Sequence, residues 1–205
     1  MPDAASQQAR SALADVWHKG RQGHADGMAG VRVVERSDVA VASIAARKGQ
    51  AAALATKIEA RTGLVLPVTP RLVAADHLSF TWTAPGQWVA MADGEEGMAF
   101  ADELVADLGS LAAITDQTDG RTILRLSGTH VREMLAKGCM LDLHDTVFKV
   151  GDTAVTPIAL ITAQITRLGD EGSVAAFELA VMRSFTQSFW HFIEVSSAEF
   201  GLDVS

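Results

Sequence analysis

Apolar and polar positions fall into short blocks along the chain, and the block Arg121–Leu143 (RTILRLSGTHVREMLAKGCMLDL) sets the frame for the others. Ile123, Leu124 and Leu126 form the β-branched and apolar run of a buried strand. Ser127-Gly128 interrupts that run, and Thr129 is placed to accept from the first free amides as an N-cap. Val131, Met134, Leu135 and Gly138 then recur at i, i+3, i+4 and i+7, one stripe on a helix. Lys137-Gly138 should close it, with a cation at the negative end of the dipole and then a residue able to turn left-handed.

A similar order occurs earlier. Val39 to Ala46 reads as a strand, Gly49 as a hinge, and residues 50–62 as a helix with Leu54 and Ile58 on one face, ended by Gly63. Leu78 to Thr83 and Trp88 to Ala92 are antiparallel strands around Pro85-Gly86. Residues 97–108 form a helix, Leu111 to Thr115 a strand, and Asp119-Gly120 a hairpin turn into the central block. Beyond it, residues 154–168 and 174–183 read as two strands around Gly169-Asp170-Glu171-Gly172, followed by a helix over about 185–199. Each half is thus roughly β-α-β-β-α. The expectation is an α+β fold of two tandem split β-α-β (ferredoxin-like) halves, about 37–118 and 119–205, with antiparallel sheets and helices on one side. Residues 1–30 carry a glycine cluster (Gly20, Gly23, Gly27, Gly30) and are expected to be a flexible arm, with Trp17 as an anchor on a partner.

Composition narrows the class. The chain has 205 residues, 48% of them hydrophobic and 20% charged, which suits a globular domain rather than a disordered one. A net charge of −8, with no lysine-arginine run, gives no footprint for nucleic acid. No apolar run reaches the roughly 18 residues of a membrane helix, and MPDAASQQAR has no secretory core. A single cysteine fits a reducing compartment, so a cytoplasmic location is expected.

The central block also carries a resemblance. Leu126–His144 (LSGTHVREMLAKGCMLDLH), Gly151–Thr166 (GDTAVTPIALITAQIT) and Arg183–Trp190 resemble the gamma subunit of heterotetrameric sarcosine oxidase over roughly residues 30–201. That family is similar in turn to part of the glycine-cleavage T-protein, a folate-binding fold. The resemblance implies alpha, beta and delta partners, with FAD, covalent FMN and NAD in the complex and zinc in another subunit. It further implies a non-catalytic assembly role for this chain, with no cofactor of its own, in a complex that oxidises sarcosine to glycine and peroxide. The one-carbon unit then passes to tetrahydrofolate or leaves as formaldehyde. The alternative is a free-standing folate-binding or one-carbon transfer module, in which Glu178 or Asp142 would grip the pterin.

Taken on their own chemistry, the candidate residues are weak. Gly128-Thr129 at a helix start is more simply a packing hinge than an anion site, with no G-x-G-x-x-G or G-x-x-x-x-G-K nearby. Cys139 follows a helix C-terminus, where the dipole disfavours a thiolate, and is expected to be buried and inert. His130 and His144 have no metal-ligand spacing with the other histidines. Asp142, near Asp145, is expected to form a turn by bonding a following amide; Asp76 and Asp93 sit beside turns too. In the last helix Phe185, Phe189, Phe192, Ile193, Ser196 and Phe200 mark a core stripe. Trp190, at its edge, and His191, among uncharged polar neighbours, are expected to face another chain. Trp82 and Trp88 fit either a core or an interface.

Overall fold

A computed structural model describes residues 10–205. In chain order the strands and helices are β1 (Gly20–Gln22), β2 (Val31–Glu35), β3 (Val39–Ala46), α1 (Ala51–Thr62), β4 (Leu72–Ala75), β5 (Leu78–Ala84), β6 (Gln87–Asp93), α2 (Gly97–Leu108) and β7 (Ala112–Asp116). They continue with β8 (Arg121–Ser127), α3 (Val131–Ala136), β9 (Thr153–Ile158), β10 (Ile161–Arg167), β11 (Ala176–Met182), α4 (Thr186–Ser197) and β12 (Leu202–Val204). One sheet runs β4-β5-β6-β3-β7 and the other β1-β12-β2-β8-β11-β10-β9. Every pairing is antiparallel except β12 with β2.

Alternation along the strands builds four layers. On β3, Ala40, Ala42 and Ile44 face Leu54 and Ile58 of α1 and Leu104 and Leu108 of α2. The residues between them, Val39 and Val41, point the opposite way and pack with Val89, Met91, Ile123 and Ala180. Ile123 and Ala180 belong to the second sheet, so the two sheets meet face to face. The far side of the second sheet carries Leu124, Leu126, Phe177 and Leu179 against Met134 and Leu135 of α3 and Phe189 and Ile193 of α4. Each fully buried Leu, Ile or Phe contributes about 1.5–3 kcal/mol of transfer free energy. Each sheet therefore has its helices on its outer face, as the alternating pattern predicts.

Five details differ from the sequence expectations. Residues 10–30 do not form a free arm: Leu13 is buried in the second core, β1 pairs with β12, and β2 lies inside the second sheet between β12 and β8. Residues 1–9 of the expected arm lie outside the described residues. The second sheet consequently draws on both ends of the chain rather than on 119–205 alone. The stretch 154–168 is two strands, because Ala159 and Leu160 turn the chain with φ of 49° and 67° and no glycine marks the place. Thr129 is not the N-cap of α3; His130 is, and its amide donates to the Gly30 carbonyl at 2.9 Å. Gly138 does not turn left-handed. A Cβ there would sit 2.7 Å from the Phe192 ring and 3.0 Å from the Ala159 nitrogen, so close approach of the β9–β10 hairpin and α4 excludes a side chain.

Candidate functional site

Between the sheets, the inward faces change character along the strands. Val41, Val89 and Ile123 pack together between the sheets. Towards the other end the facing positions become small: Ser43 and Ala45 on β3 and Ala180 on β11. A cavity of about 400 Å³ opens there. Its floor follows from register. Ile123, Ala180, Gln164 and Val155 stand in one cross-strand row, and Arg121 opposite Met182 belongs to the next. Arg121 and Gln164 therefore reach the same space past the short side chain of Ala180, on the face away from the helices.

These two side chains are incompletely satisfied. Gln164 is only 5% exposed; its Nε2 donates to Thr153 Oγ1 at 3.5 Å, while Oε1 has no hydrogen-bond partner among the described residues. Nε of Arg121 is likewise buried without a partner. Burial pushes the Arg121 pKa down. Neither residue stands out in the sequence. Thr162, Gln164 and Thr166 alternate with Ala163 and Ile165 and read as the solvent side of a strand. The missed signal is that this polar face sits on a strand pair whose neighbour, β8, carries Ile123 on the same side.

At the opposite end of the interface a second polar cluster is tied by ion pairs, although Arg125 Nε there is buried without a hydrogen-bond partner among the described residues. Arg36, just after β2, donates to Asp93 at the end of β6 at 2.6 Å and to Glu178 on β11 at 3.3 Å, so one guanidinium ties the two sheets. Arg125 stands 3.8 Å from the same Glu178 carboxylate. Burial raises the Glu178 pKa, and Arg36 and Arg125 draw it part of the way back. Burial also opposes the Arg36 charge, but the Asp93 hydrogen bond and the Glu178 carboxylate outweigh it and leave its pKa raised.

The sequence-selected residues are scattered. Trp190 is 1% exposed and packs against Trp17 of the same chain with ring centroids 4.7 Å apart, so neither ring is presented as a free anchor. The α4 stripe is rotated further towards the core than its sequence suggests, which buries Trp190 and leaves Phe185 half-exposed. Of the three expected interface residues His191 alone is exposed. Trp88 is a core residue whose Nε1 donates to the Pro67 carbonyl at 2.8 Å. Cys139 is buried, and burial raises its pKa. Asp142 Oδ1 accepts the His144 amide at 2.9 Å, the turn expected of it. Asp145 pairs with Arg132 and Arg167. Among the described residues no group of three His, Cys, Asp or Glu side chains is placed to hold a metal. No described helix is long and apolar enough to cross a membrane.

One exposed corner stands apart. Cys139 bridges to Ile158, and flanking that bridge are Met140, 97% exposed, and Leu160, 98% exposed, the latter on the left-handed hairpin turn.

The fold and its sequence have known counterparts. The subunit gamma of sarcosine oxidase from an Arthrobacter species is 33% identical over 133 residues, which is 64% of this chain and 62% of that protein. The match thus spans less than two thirds of the relative's own length. A chain of the heterotetrameric sarcosine oxidase from Corynebacterium sp. U-96 superposes with a TM-score of 0.79 at 26% identity, covering 94% of this chain and 96% of that one. The glycine cleavage system aminomethyltransferase T from Bartonella henselae shares the fold at a TM-score of 0.60 and 15% identity, over 83% of this chain and 49% of its own. The family model described as sarcosine oxidase, gamma subunit family, matches residues 46–199, more than half of the chain. This chain therefore belongs to the sarcosine oxidase gamma subunit family.

Proposed function

We propose that this chain is a non-catalytic assembly subunit of a heterotetrameric sarcosine oxidase, held in the cytoplasm by larger alpha and beta chains and a small delta chain. In this reading FAD, FMN and NAD are bound by other subunits, as is zinc. The complex oxidises the N-methyl group of sarcosine, yielding glycine and peroxide. The observation that carries the reading is the end-to-end match to a chain of a heterotetrameric sarcosine oxidase, which spans 94% of one molecule and 96% of the other. The corner at Met140 and Leu160 supports it physically. Two large apolar side chains, each almost wholly in water, sit on backbone braced by the Cys139–Ile158 bridge. Such residues gain most from burial against another chain.

The test is to tag the chain in its native host, purify it gently, and record a gel and a flavin absorption spectrum. Two larger flavin-bearing chains with a small one, together with sarcosine-dependent peroxide production, are expected. Leu160→Asp should lower the yield of co-purifying flavin. A lone colourless species of 21.7 kDa would overturn the reading.

A further inference from the structure

We propose that the open edge of β7 is a docking site for an extended segment of a partner subunit, which adds a strand to the first sheet and brings a basic side chain to Asp116 and Asp119. The inference rests on the assembly reading above. Four strands end the two sheets, β4 and β7 in one and β1 and β9 in the other. An uncovered edge offers main-chain donors and acceptors to another chain, and folded proteins blunt it. β9 contains Pro157, which has no N–H, and both its ends are engaged: the Thr153 amide donates to the Pro70 carbonyl at 3.1 Å, and Ile158 bridges to Cys139. β4 is covered where the Leu72 amide donates to the Gly151 carbonyl at 2.7 Å. β1 has only three residues. β7 carries no proline and no lysine, and it pairs with β3 alone among the described residues.

Register identifies the open groups. The Arg47 amide donates to the Leu111 carbonyl at 2.8 Å and the Gln117 amide to the Val41 carbonyl at 2.7 Å. Hydrogen-bonded pairs alternate in an antiparallel ladder, so Ala113 and Thr115 between them spend their main-chain groups on Ala45 and Ser43. The intervening residues turn theirs outward. Ala112 is buried, which leaves the N–H and C=O of Ile114 and Asp116 as the open edge. The second sheet shows the same position filled. Its order β2-β8-β11-β10 matches β7-β3-β6-β5 of the first, and β12 and then β1 continue beyond β2 where nothing described continues beyond β7. Charge sets the chemistry of the incoming segment. Asp116 and Asp119 are exposed, and neither forms an ion pair with a described residue; the Asp116 carboxylate accepts the Thr118 amide at 2.8 Å. An added strand therefore gains most with a lysine or arginine at that end, and with side chains that lie beside the short Ala113 and Thr115.

Hydrogen exchange resolved to single amides, on the full chain alone and in the purified complex, tests the edge without any variant. In the isolated chain the Ile114 amide should exchange fast while Ala113 and Thr115 are protected by β3. In the complex Ile114 should slow by about a hundredfold or more. Ile114→Pro removes an N–H that β3 does not use, so thermal melting should show the fold retained while the recovery of partner chains drops about tenfold. Ile114→Val keeps the N–H and should assemble like the parent. Asp116→Asn keeps the acceptor for Thr118 and should lower recovery about threefold at low salt, with no difference at high salt. A parent chain that purifies alone overturns this proposal together with the assembly reading. A parent that brings its partners, with Ile114 exchanging as fast as in the isolated chain, overturns this proposal alone. So does an Ile114→Pro chain that keeps its fold and assembles like the parent. Protection of Ile114 that rises with the concentration of the isolated chain would place a second copy on the edge, and would overturn it too.

Discussion

Leu160 occupies a conformation that its side chain disfavours. Left-handed backbone costs a residue with a Cβ about 1–2 kcal/mol, and both turn residues, Ala159 and Leu160, adopt it at the tip of the β9–β10 hairpin. The same leucine is 98% exposed, so no described residue packs on it to repay the strain. Leu160→Gly should therefore stabilise the isolated chain by about 1 kcal/mol, seen as a rise of about 2–4 °C in Tm. If the corner is an interface, the same variant should be retained less well by its partners. A lower Tm would show that packing at the tip outweighs the strain. No sequence signal marks this turn, since the two-residue hairpin code is written in glycine and asparagine. Gly128 illustrates a readable case. Its φ of 134° and its approach to the Gly30 carbonyl both exclude a side chain, and a lone glycine between a strand and a helix had predicted close packing there.

Elements were legible where a strong period ran between clear breakers. β3, β5, β6, β8, α1 and α2 follow from alternation or from the apolar stripe, and their glycine and proline boundaries hold. The short strands did not show. β1 and β12 have three residues each, too few to display a period, and β2 lies next to a glycine cluster that suggests a mobile arm. Their stability comes from pairing across the chain ends, which local pattern does not encode. The candidate cleft was hidden for a related reason: polar side chains on a strand read as facing water unless a second sheet is known to cover them. Helix contacts were similarly unreadable. Asp107 on α2 pairs with Lys57 at 2.8 Å and Arg61 at 3.0 Å on α1, and hydrogen bonds from those two cations lower its pKa. A carboxylate with a lowered folded pKa stabilises above its unfolded pKa, and that stability is lost as pH falls through the folded value. Asp107→Asn should lower Tm at neutral pH by an amount matching at most about 1 kcal/mol. The difference should vanish in acid, below the usual carboxylate range near pH 4. A difference that is the same at both pH values would assign the effect to shape rather than charge.

At the scale of the molecule, the two helix-backed sheets are joined through a seam that is apolar in the middle and polar at both ends. One end holds Arg121 and Gln164, each with a buried polar atom that has no partner among the described residues; the other is closed by Arg36, which contacts a residue from each sheet. Arg36 and Glu178 are each largely buried, with side chains 13% and 12% exposed, so breaking the pair leaves a buried carboxylate whose remaining cation among the described residues is Arg125. Arg36→Met should destabilise the chain by about 3 kcal/mol, near the lower end for a broken buried pair because both groups keep some contact with water. The pH dependence separates this from a packing loss. Burial already holds the Glu178 pKa above its ordinary value, so the folded chain keeps that proton to higher pH than the unfolded one. The contribution of Glu178 to stability is therefore greatest below about pH 4 and falls as pH rises through the folded pKa. Removing Arg36 takes away one of the charges that limits the shift, which steepens the fall. Urea unfolding across a pH series should show the variant close to the parent in acid and increasingly below it towards neutrality. A gap that stays constant with pH would mean that Arg36 joins the sheets by its bulk, and that the ion pair is incidental to the seam.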